Sequence, residues 1–385
     1  PEPVLCLSAG LGNAAVMKIG LYSPFAAETL GGGERYLLTI AECLLPDHEV
    51  DLVLPYIPKN LKARLAKNFN LKLNKLNLVI GPFRKENTAL ERWQFTGRYD
   101  AFYYMTDGSF FVSHAKRNIA HFMIPFNRPA GLGQRLKLNT WKIKTTHSFF
   151  CKKALERIWR IKIDFVHWGA VDTSLFKPRP KQNLILNVGR FFSPTGKKHC
   201  KRQDFLVKTF KKMCDLGLKG WQLVVTGPVD PGTDNFNYLN SVKKLAQGYP
   251  VKFHVGVSFG RLQQDYGRAK IYWHATGYGT DAAVNPQASE HFGISTIEAM
   301  AAGAVPVVIN QGGQTEIVNH AVNGLLWQNQ RQLINQTLSL INNGPLRVEL
   351  AQGAQNRAKD FSLNQFCQTT KKIFKMLQYM GTVNN

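Results

Sequence analysis

Two glutamates, Glu290 and Glu298, are the residues whose setting most narrows the chemistry of this chain. Seven residues separate them, and Phe292-Gly293 interrupts the chain before a stretch of helical composition at 294–302. This pattern predicts that Glu290 precedes a helix N-terminus and that Glu298 lies one turn inside the helix. The N–H groups and the positive dipole end of such a helix attract an anion, and the carboxylates accept hydrogen bonds from hydroxyl groups. A nucleotide sugar combines these features.

The elements that must position these glutamates alternate in type. Gly303 suits a helix stop, because glycine enters the left-handed conformation without steric cost, and the apolar run 305–309 predicts a buried parallel strand. Similar apolar runs alternate with helical stretches on both sides of a polar, proline-containing linker at 176–183. The sequence therefore predicts an α/β fold with two doubly wound parallel sheets. The strand candidates are 17–22, 50–54, 76–80, 101–105, 118–123, 165–168, 184–189, 221–226, 251–255, 269–273 and 305–309.

The segment around the glutamates resembles the E-x7-E donor site of retaining GT-B glycosyltransferases of the family-4 type, the glycosyl transferases group 1. The similarity extends upstream to Tyr272-Trp273-His274-Ala275-Thr276 and downstream to Gly312-Gly313-Gln314-Thr315-Glu316. An ordinary β-α-β unit with incidental glutamates is the alternative. The resemblance implies two Rossmann-like domains that face a central cleft, with a C-terminal helix that crosses back to the first domain. The expected bounds are 1–16 for an extension of unclear origin, 17–177 for the acceptor-side domain, 178–363 for the donor domain and 364–385 for the crossover helix and tail.

The resemblance also implies roles for charged residues near the donor diphosphate. Arg190, in Asn187-Val188-Gly189-Arg190, and Lys201 are similar to the family's diphosphate clamp, which stabilises the leaving group without a metal. Three further cations of the same loop are alternatives to Lys201: Lys197, Lys198 and Arg202.

Further donor contacts follow from the same resemblance. Glu298 is expected to bind the ribose hydroxyls and Glu290 a hydroxyl of the transferred sugar. Gly293 and Ile294 are expected to offer backbone N–H groups to the phosphate. Val257 lies in 254–258, which resembles the segment that lines the base pocket, mainly through backbone groups. Gly227 ends a strand at the same cleft edge and is a further donor-binding candidate.

The glycine run Gly31-Gly32-Gly33 opens a helix candidate in the N-terminal half. Gly32 and Gly33 resemble the loop that approaches the donor from the acceptor domain, since glycine lets a backbone come close to a ligand. A plain flexible turn is the alternative.

His121 is the candidate for a catalytic histidine in the N-terminal half, where it would contact the sugar. The alternative is a core histidine whose hydrogen bonds are satisfied within the protein. In a Tyr-x-His-x-Pro alignment against Pro125 the family histidine falls on Met123, which is a departure from the pattern. Asp107 is a weaker acceptor-side candidate, and His291 is expected to be structural support. We expect no metal site, because no D-x-D pair ends a strand near the donor site.

The formal net charge of +24 is the compositional outlier of this 385-residue chain. Residues 59–85 hold eight basic and no acidic side chains, and residues 116–153 hold nine basic and again no acidic ones. Aromatic and leucine residues interleave with both runs, which suits an anionic membrane face or an anionic acceptor. A surface tuned for solubility and nucleic-acid binding are the alternatives, although no nucleic-acid module is apparent.

The six cysteines show no C-x-x-C spacing, so we expect free thiols in a reducing compartment. No apolar run reaches membrane-spanning length, and a signal peptide is not indicated. We therefore expect a cytoplasmic protein that can lie peripheral to the inner face of a membrane.

The sequence as a whole predicts a metal-independent retaining glycosyltransferase without a cofactor. Its donor is expected to be a UDP-, GDP- or ADP-sugar, and its acceptor a glycan, a glycolipid or another hydroxyl compound. Retaining transfer can proceed by double displacement or by front-face attack; no carboxylate stands out as a covalent nucleophile, and the resemblance implies front-face attack. The alternatives are a non-catalytic GT-B protein that binds a sugar nucleotide or a membrane, and a GT-B sugar-nucleotide epimerase.

Overall fold

The computed structural model describes residues 15–28, 31–194 and 200–380. The predicted alternation of strands and helices is confirmed, and the described residues form two sheets of parallel strands with helices between them. The described residues fall into two compact units, one within 1–120, 133–143 and 367–385 and the other within 121–132 and 144–366. The predicted domain bounds stay a prediction.

The first sheet has seven strands in the order β3-β2-β1-β4-β5-β6-β7. Its strands are β1 (Lys18–Tyr22), β2 (Glu49–Leu54), β3 (Asn77–Ile80), β4 (Ala101–Thr106), β5 (Arg117–Phe122), β6 (Ile143–Thr146) and β7 (Phe165–Val166). The helices along this part of the chain are α1 (Gly32–Leu44), α2 (Leu61–Phe69), α3 (Ala89–Thr96), α4 (Leu132–Leu138) and α5 (Phe149–Trp159). Every residue of β4 is buried, as expected for a central parallel strand covered on both faces.

The first unit also contains most of the C-terminal helix, α13 (Leu363–Met380). Within this unit Lys371 pairs with Asp47 at 2.7 Å, and the Arg117 guanidinium donates to the carbonyl of Leu377. These contacts hold α13 against β5 and against the turn that follows α1.

Cys43 of α1 and Cys367 of α13 form a disulfide in the first unit. The expectation of free thiols throughout is therefore wrong for this pair, because folding brings together two cysteines that lie 324 positions apart. Cys151, Cys200 and Cys214 are free, as expected. Cys6 lies outside the described residues.

The second sheet has six parallel strands in the order β10-β9-β8-β11-β12-β13. They are β8 (Gln182–Val188), β9 (Gln222–Gly227), β10 (Val251–Val255), β11 (Ala269–His274), β12 (Val305–Ile309) and β13 (Leu325–Trp327). The helices are α6 (Gln203–Asp215), α7 (Thr233–Leu245), α8 (Phe259–Arg268), α9 (Ile294–Ala301), α10 (Gln314–Ile317), α11 (Gln330–Asn342) and α12 (Gly344–Ala358). Short 3₁₀ helices cover Thr173–Leu175, Pro286–Ala288 and Lys359–Phe361.

Alternate residues of the second sheet supply two separate cores. On β11, Ile271 and Trp273 pack into one core, whereas Tyr272 between them packs into the other. This period of two is the geometry of a strand covered on both faces. Because all six strands are parallel, their carboxyl ends lie at the same edge of the sheet. The loops that follow the strands at this edge carry the candidate site.

Among the helices of the described residues, none is both long enough and apolar enough to span a bilayer.

Candidate functional site

Gly293 shapes the N-terminus of α9. Its φ of +128° is a conformation that side-chain-bearing residues rarely adopt. A Cβ at this position would also lie 2.4 Å from Nε2 of Gln314. Glycine is therefore required here, and α9 begins at Ile294 with Glu298 one turn inside it, as predicted.

The segment before the helix is held by the glycine pair Gly312 and Gly313. A Cβ on Gly312 would lie 2.4 Å from the carbonyl oxygen of Glu290, and one on Gly313 would lie 2.6 Å from that of Phe292. The N–H of Gly313 donates to the Glu290 carbonyl at 2.7 Å. This close backbone packing fixes Glu290 beside the start of α9.

Three side chains converge on one carboxylate oxygen of Glu290. Its Oε2 lies 2.6 Å from Nζ of Lys201, 2.7 Å from Nε2 of His274 and 3.4 Å from Oγ1 of Thr276. The side chains of Lys201 and Glu290 are only 15% and 11% exposed, so water screens this ion pair weakly. Glu290 is thus a shielded carboxylate with charge-assisted hydrogen bonds.

Glu298 is held by an aromatic hydroxyl group. Tyr266 of α8 is fully buried, and its hydroxyl donates to Oε2 of Glu298 at 2.7 Å. In the first turn of α9, the helix that carries Glu298, the hydroxyl of Ser295 accepts a 2.8 Å hydrogen bond from the hydroxyl of Tyr272. Two buried tyrosines therefore orient polar groups on α9.

Arg190 and Lys201, the predicted diphosphate clamp, contact different carboxylates in this structure. Arg190 is 55% exposed, pairs with Asp230 at 3.4 Å and lies over the ring of Phe192 at 4.8 Å. Lys201 pairs with Glu290. Their joint action on a diphosphate stays a prediction.

The alternatives to Lys201 divide into two groups. Arg202 pairs with Asp204 at 3.2 Å and donates to the carbonyl of Tyr278, so its guanidinium has local partners. Lys197 and Lys198 lie outside the described residues.

Gly227 and Val257 lie near the carboxyl ends of β9 and β10. A Cβ on Gly227 would lie 2.1 Å from the carbonyl oxygen of Gly189, so only glycine allows the chain after β8 to pass so closely. The N–H of Gly256 donates to the Gly227 carbonyl at 3.3 Å, and half-buried Val257 follows. The structure thus brings both predicted residues to one edge of the second sheet, while their contact with a nucleotide base stays a prediction.

Gly32 and Gly33 are the first residues of α1, in the first unit. Glu34 accepts the N–H of Gly31 at 2.9 Å and so caps this helix. A Cβ on Gly32 would meet no atom of the described residues within 4 Å, and one on Gly33 would lie 3.3 Å from the sulfur of Met105. Internal packing therefore does not require glycine at Gly32, and the ligand contact of both residues stays a prediction.

His121 has the geometry of a core histidine. Its side chain is inaccessible to solvent, its Nδ1 lies 2.8 Å from Oγ1 of Thr145, and its Nε2 lies 3.2 Å from the sulfur of Met123. Burial, reinforced by His147 and His167, lowers the pKa of His121 well below its usual value. Of the two alternatives for this residue, the geometry favours a satisfied core residue.

Sequence reasoning gave no role to His274, Thr276 and Gln314, although all three lie in the segments that carry the resemblance. His274 and Thr276 contact Glu290. Gln314 is fully buried, accepts the Thr296 hydroxyl at 2.9 Å, and has an Nε2 without a partner among the described residues. The sequence feature that could have identified these residues is their position in the segments that carry the resemblance. A histidine at a strand end or a glutamine after two glycines is not distinctive by itself.

Metal-ligating side chains do not gather in the described part of the chain, where no group of three or more His, Cys, Asp or Glu residues could hold an ion.

Parts of this chain are similar in sequence to a known protein family and to a curated protein. The sequence profile of the family Glycosyl transferases group 1 matches residues 174–357. A curated relative from Dictyostelium discoideum, GDP-Man:Man(3)GlcNAc(2)-PP-Dol alpha-1,2-mannosyltransferase, is 30% identical over 147 residues, or 38% of this chain. The matched part spans only 27% of that relative.

Solved structures resemble this chain over nearly its whole length. A glycosyltransferase from Rickettsia africae ESF-5 superposes with a TM-score of 0.73 at 17% identity, covering 94% of this chain and 99% of that one. HepE of Anabaena, solved in complex with UDP-glucose, gives a TM-score of 0.68 at 17% identity, covering 94% of this chain and 100% of that one. At these identities the likeness establishes the fold, and the predicted GT-B architecture of two parallel-sheet α/β domains is confirmed. Residues 174–357 therefore match the family Glycosyl transferases group 1, within a chain that has the GT-B fold of solved glycosyltransferases.

Proposed function

We propose that this protein is a retaining glycosyltransferase that moves a sugar from a nucleoside-diphosphate sugar to a hydroxyl acceptor. The observation that carries the proposal is the start of α9, where Gly293 with its positive φ begins a helix between two shielded carboxylates, Glu290 and Glu298. Such a site attracts an anion that bears hydroxyl groups on both sides of its charge.

The proposed donor contacts follow from this arrangement. The N–H groups of Gly293 and Ile294 bind a phosphate, Glu298 accepts the ribose hydroxyls, and Glu290 accepts a hydroxyl of the sugar. The unpartnered amide nitrogen of Gln314 supports the anion assignment, because a Cβ on Gly293 would lie 2.4 Å from it. A buried N–H donor without a partner is costly unless a ligand or water satisfies it.

The proposed chemistry needs no carboxylate nucleophile. The bond between the anomeric carbon and the diphosphate oxygen breaks, and the acceptor oxygen attacks the anomeric carbon from the same face. The acceptor's proton passes to the departing phosphate oxygen. Lys201 and Arg190 supply positive charge to the leaving diphosphate, so the proposal includes independence from metal ions.

The comparisons support particular donors as probes. One relative is named for GDP-Man and a dolichol-linked acceptor, and one neighbour was solved with UDP-glucose. We therefore propose a UDP- or GDP-sugar as the donor, with an ADP-sugar as a further candidate, and a glycan or glycolipid as the acceptor.

We further propose that the acceptor side meets an anionic membrane surface. On α4, Leu132 and Leu136 are 77% and 62% exposed, beside Arg135 and Lys137. Exposed leucines among basic residues suit the headgroup region of an anionic bilayer. Co-sedimentation with vesicles of phosphatidylglycerol should fall in Leu136→Gln, whereas equal binding of this variant and the wild type would refute the role of α4.

A thermal-shift screen tests the donor proposal. UDP, GDP, ADP and their glucose or mannose conjugates are added to the protein with and without magnesium. Selective stabilisation by one nucleotide, equal in both conditions and lost in Glu298→Gln, is expected. If none of these compounds shifts the melting temperature, the proposal fails.

A further inference from the structure

His274 is the last residue of β11, and its side chain contacts Glu290. Its side chain is 1% exposed, and its Nε2 lies 2.7 Å from Oε2 of Glu290 and 3.1 Å from the hydroxyl of Thr276. Its Nδ1 is buried without a hydrogen-bond partner among the described residues. The imidazole is therefore committed to Glu290 through one nitrogen.

The protonation state of His274 follows from its surroundings. Burial lowers the pKa of His274, an effect that the hydrogen bond to Glu290 opposes and that nearby Lys201 reinforces. The ring is neutral at neutral pH, and its proton lies on Nε2, since a carboxylate oxygen only accepts. His274 thus gives Glu290 a hydrogen bond without adding a second positive charge beside Lys201.

Lys201 is the partner of Glu290 that a donor would recruit. Its ammonium is the positive member of the ion pair, and a bound diphosphate, which carries more negative charge than one carboxylate, competes for it. If Lys201 turned to the diphosphate, Glu290 would remain a shielded carboxylate that needs other donors. The Nε2–H of His274 and the hydroxyl of Thr276 are the contacts that would remain from this set.

We propose that His274 is a positioning residue, which holds the Glu290 carboxylate in place when Lys201 exchanges it for the donor's diphosphate. This inference rests on the proposed function. Its structural basis is the convergence of Lys201, His274 and Thr276 on a single oxygen of Glu290.

Two variants separate hydrogen bonding from packing. His274→Leu removes the donor, and His274→Gln keeps an N–H donor on a side chain that can reach Glu290. With UDP-glucose or GDP-mannose, whichever the wild type uses, kcat of His274→Leu should fall by about 10- to 100-fold, the usual effect of losing a hydrogen bond to a charged group. Affinity for the free nucleotide should stay within about 2-fold, well below the tenfold effect of 1.4 kcal/mol, because Glu298 and α9 are untouched. His274→Gln should recover most of the rate.

A stability cycle tests the same role without any ligand. Urea unfolding is compared for His274→Leu in the wild type, in Lys201→Met and in Glu290→Gln. The substitution should lower the midpoint most in Lys201→Met, where Oε2 of Glu290 has lost its contact with Lys201 and keeps the one with His274, and least in Glu290→Gln, where no carboxylate needs holding. His274→Gln in the Lys201→Met background serves as the folded comparison if the leucine double variant does not fold.

The outcomes are distinct. Equal midpoint shifts in all three backgrounds, or unchanged kcat in His274→Leu, would overturn the role of His274. Failure of the wild type to bind any of the probes would instead refute the proposed function, and the stability cycle would still decide whether His274 holds Glu290.

Discussion

Lys201 and Glu290 form an ion pair of 2.6 Å in which both side chains are more than four-fifths shielded from solvent. The pair joins the loop before α6 to the segment before α9. It shows that the cation predicted for the diphosphate has a carboxylate partner in this structure. On this account, Lys201 exchanges Glu290 for the diphosphate when the donor binds.

Removing one member of this pair should cost stability. Lys201→Met leaves Glu290 shielded and without its cation, so the free energy of unfolding should fall by about 1–3 kcal/mol, since solvent still reaches part of the pair. The double variant Lys201→Met/Glu290→Gln should recover much of that loss. Chemical denaturation measures both values. A double variant that is less stable than Lys201→Met would contradict the coupling.

Glu298 should govern nucleotide affinity with little effect on the fold. Glu298→Gln keeps its shape but weakens the acceptor of two ribose hydroxyls, so calorimetric affinity for the preferred nucleoside diphosphate should fall by about 10-fold or more. Tyr266→Phe is the matched control, because it removes the hydroxyl that donates the 2.7 Å hydrogen bond to Glu298 and leaves the carboxylate in place. It should show a smaller loss. Equal affinity in Glu298→Gln and the wild type would exclude a ribose contact.

The strands and the donor segment could be predicted from the sequence because their signals are local. The observed bounds of β10 (Val251–Val255) and β12 (Val305–Ile309) are those predicted. Gly293 directly precedes α9 and Gly303 lies just after its end, as expected. Two strands were missed, β6 (Ile143–Thr146) and β13 (Leu325–Trp327). β6 has one apolar residue in four and so lacks the apolar run by which β3 was predicted, and β13 is only three residues long.

The parts that could not be predicted depend on distant pairs. The Cys43–Cys367 disulfide joins positions 324 residues apart, and no spacing rule reveals such a pair. The contact of His274 with Glu290 likewise requires the sheet edge to fold. His121 could be given two roles from its sequence, and its complete burial, which favours the core role, appears only in the folded chain.

The disulfide should contribute measurably to stability. Cys367→Ser removes a cross-link between α1 and α13, and cross-links of this kind contribute about 2–4 kcal/mol by restricting the unfolded chain. The urea midpoint should therefore fall. Cys214→Ser, at a free thiol, is the control and should leave the midpoint near that of the wild type. A wild type whose midpoint is insensitive to dithiothreitol would contradict the cross-link.

Buried histidines should make the protein sensitive to acid. Burial lowers the pKa of His167 from 6.5 to about 4, and that of His147 to about 3. Because these folded-state values lie below the unfolded value, the unfolded chain binds more protons as pH falls from 6.5 towards 4. Each such histidine should remove about 1.4 kcal/mol of stability per pH unit across that window.

Denaturation at several pH values checks this slope. His167→Phe should flatten it by one histidine's share, because the variant lacks the imidazole whose pKa burial lowers. Parallel slopes for His167→Phe and the wild type would show that His167 is protonated in the folded protein.

The most direct test of the donor site is a crystal structure of the protein with the nucleoside diphosphate that stabilises it best. The account predicts a phosphate within hydrogen-bonding distance of the Gly293 and Ile294 N–H groups, ribose hydroxyls on Glu298, and Lys201 turned from Glu290 towards the diphosphate. A nucleotide bound away from the start of α9, or bound there with its ribose remote from Glu298, would contradict it.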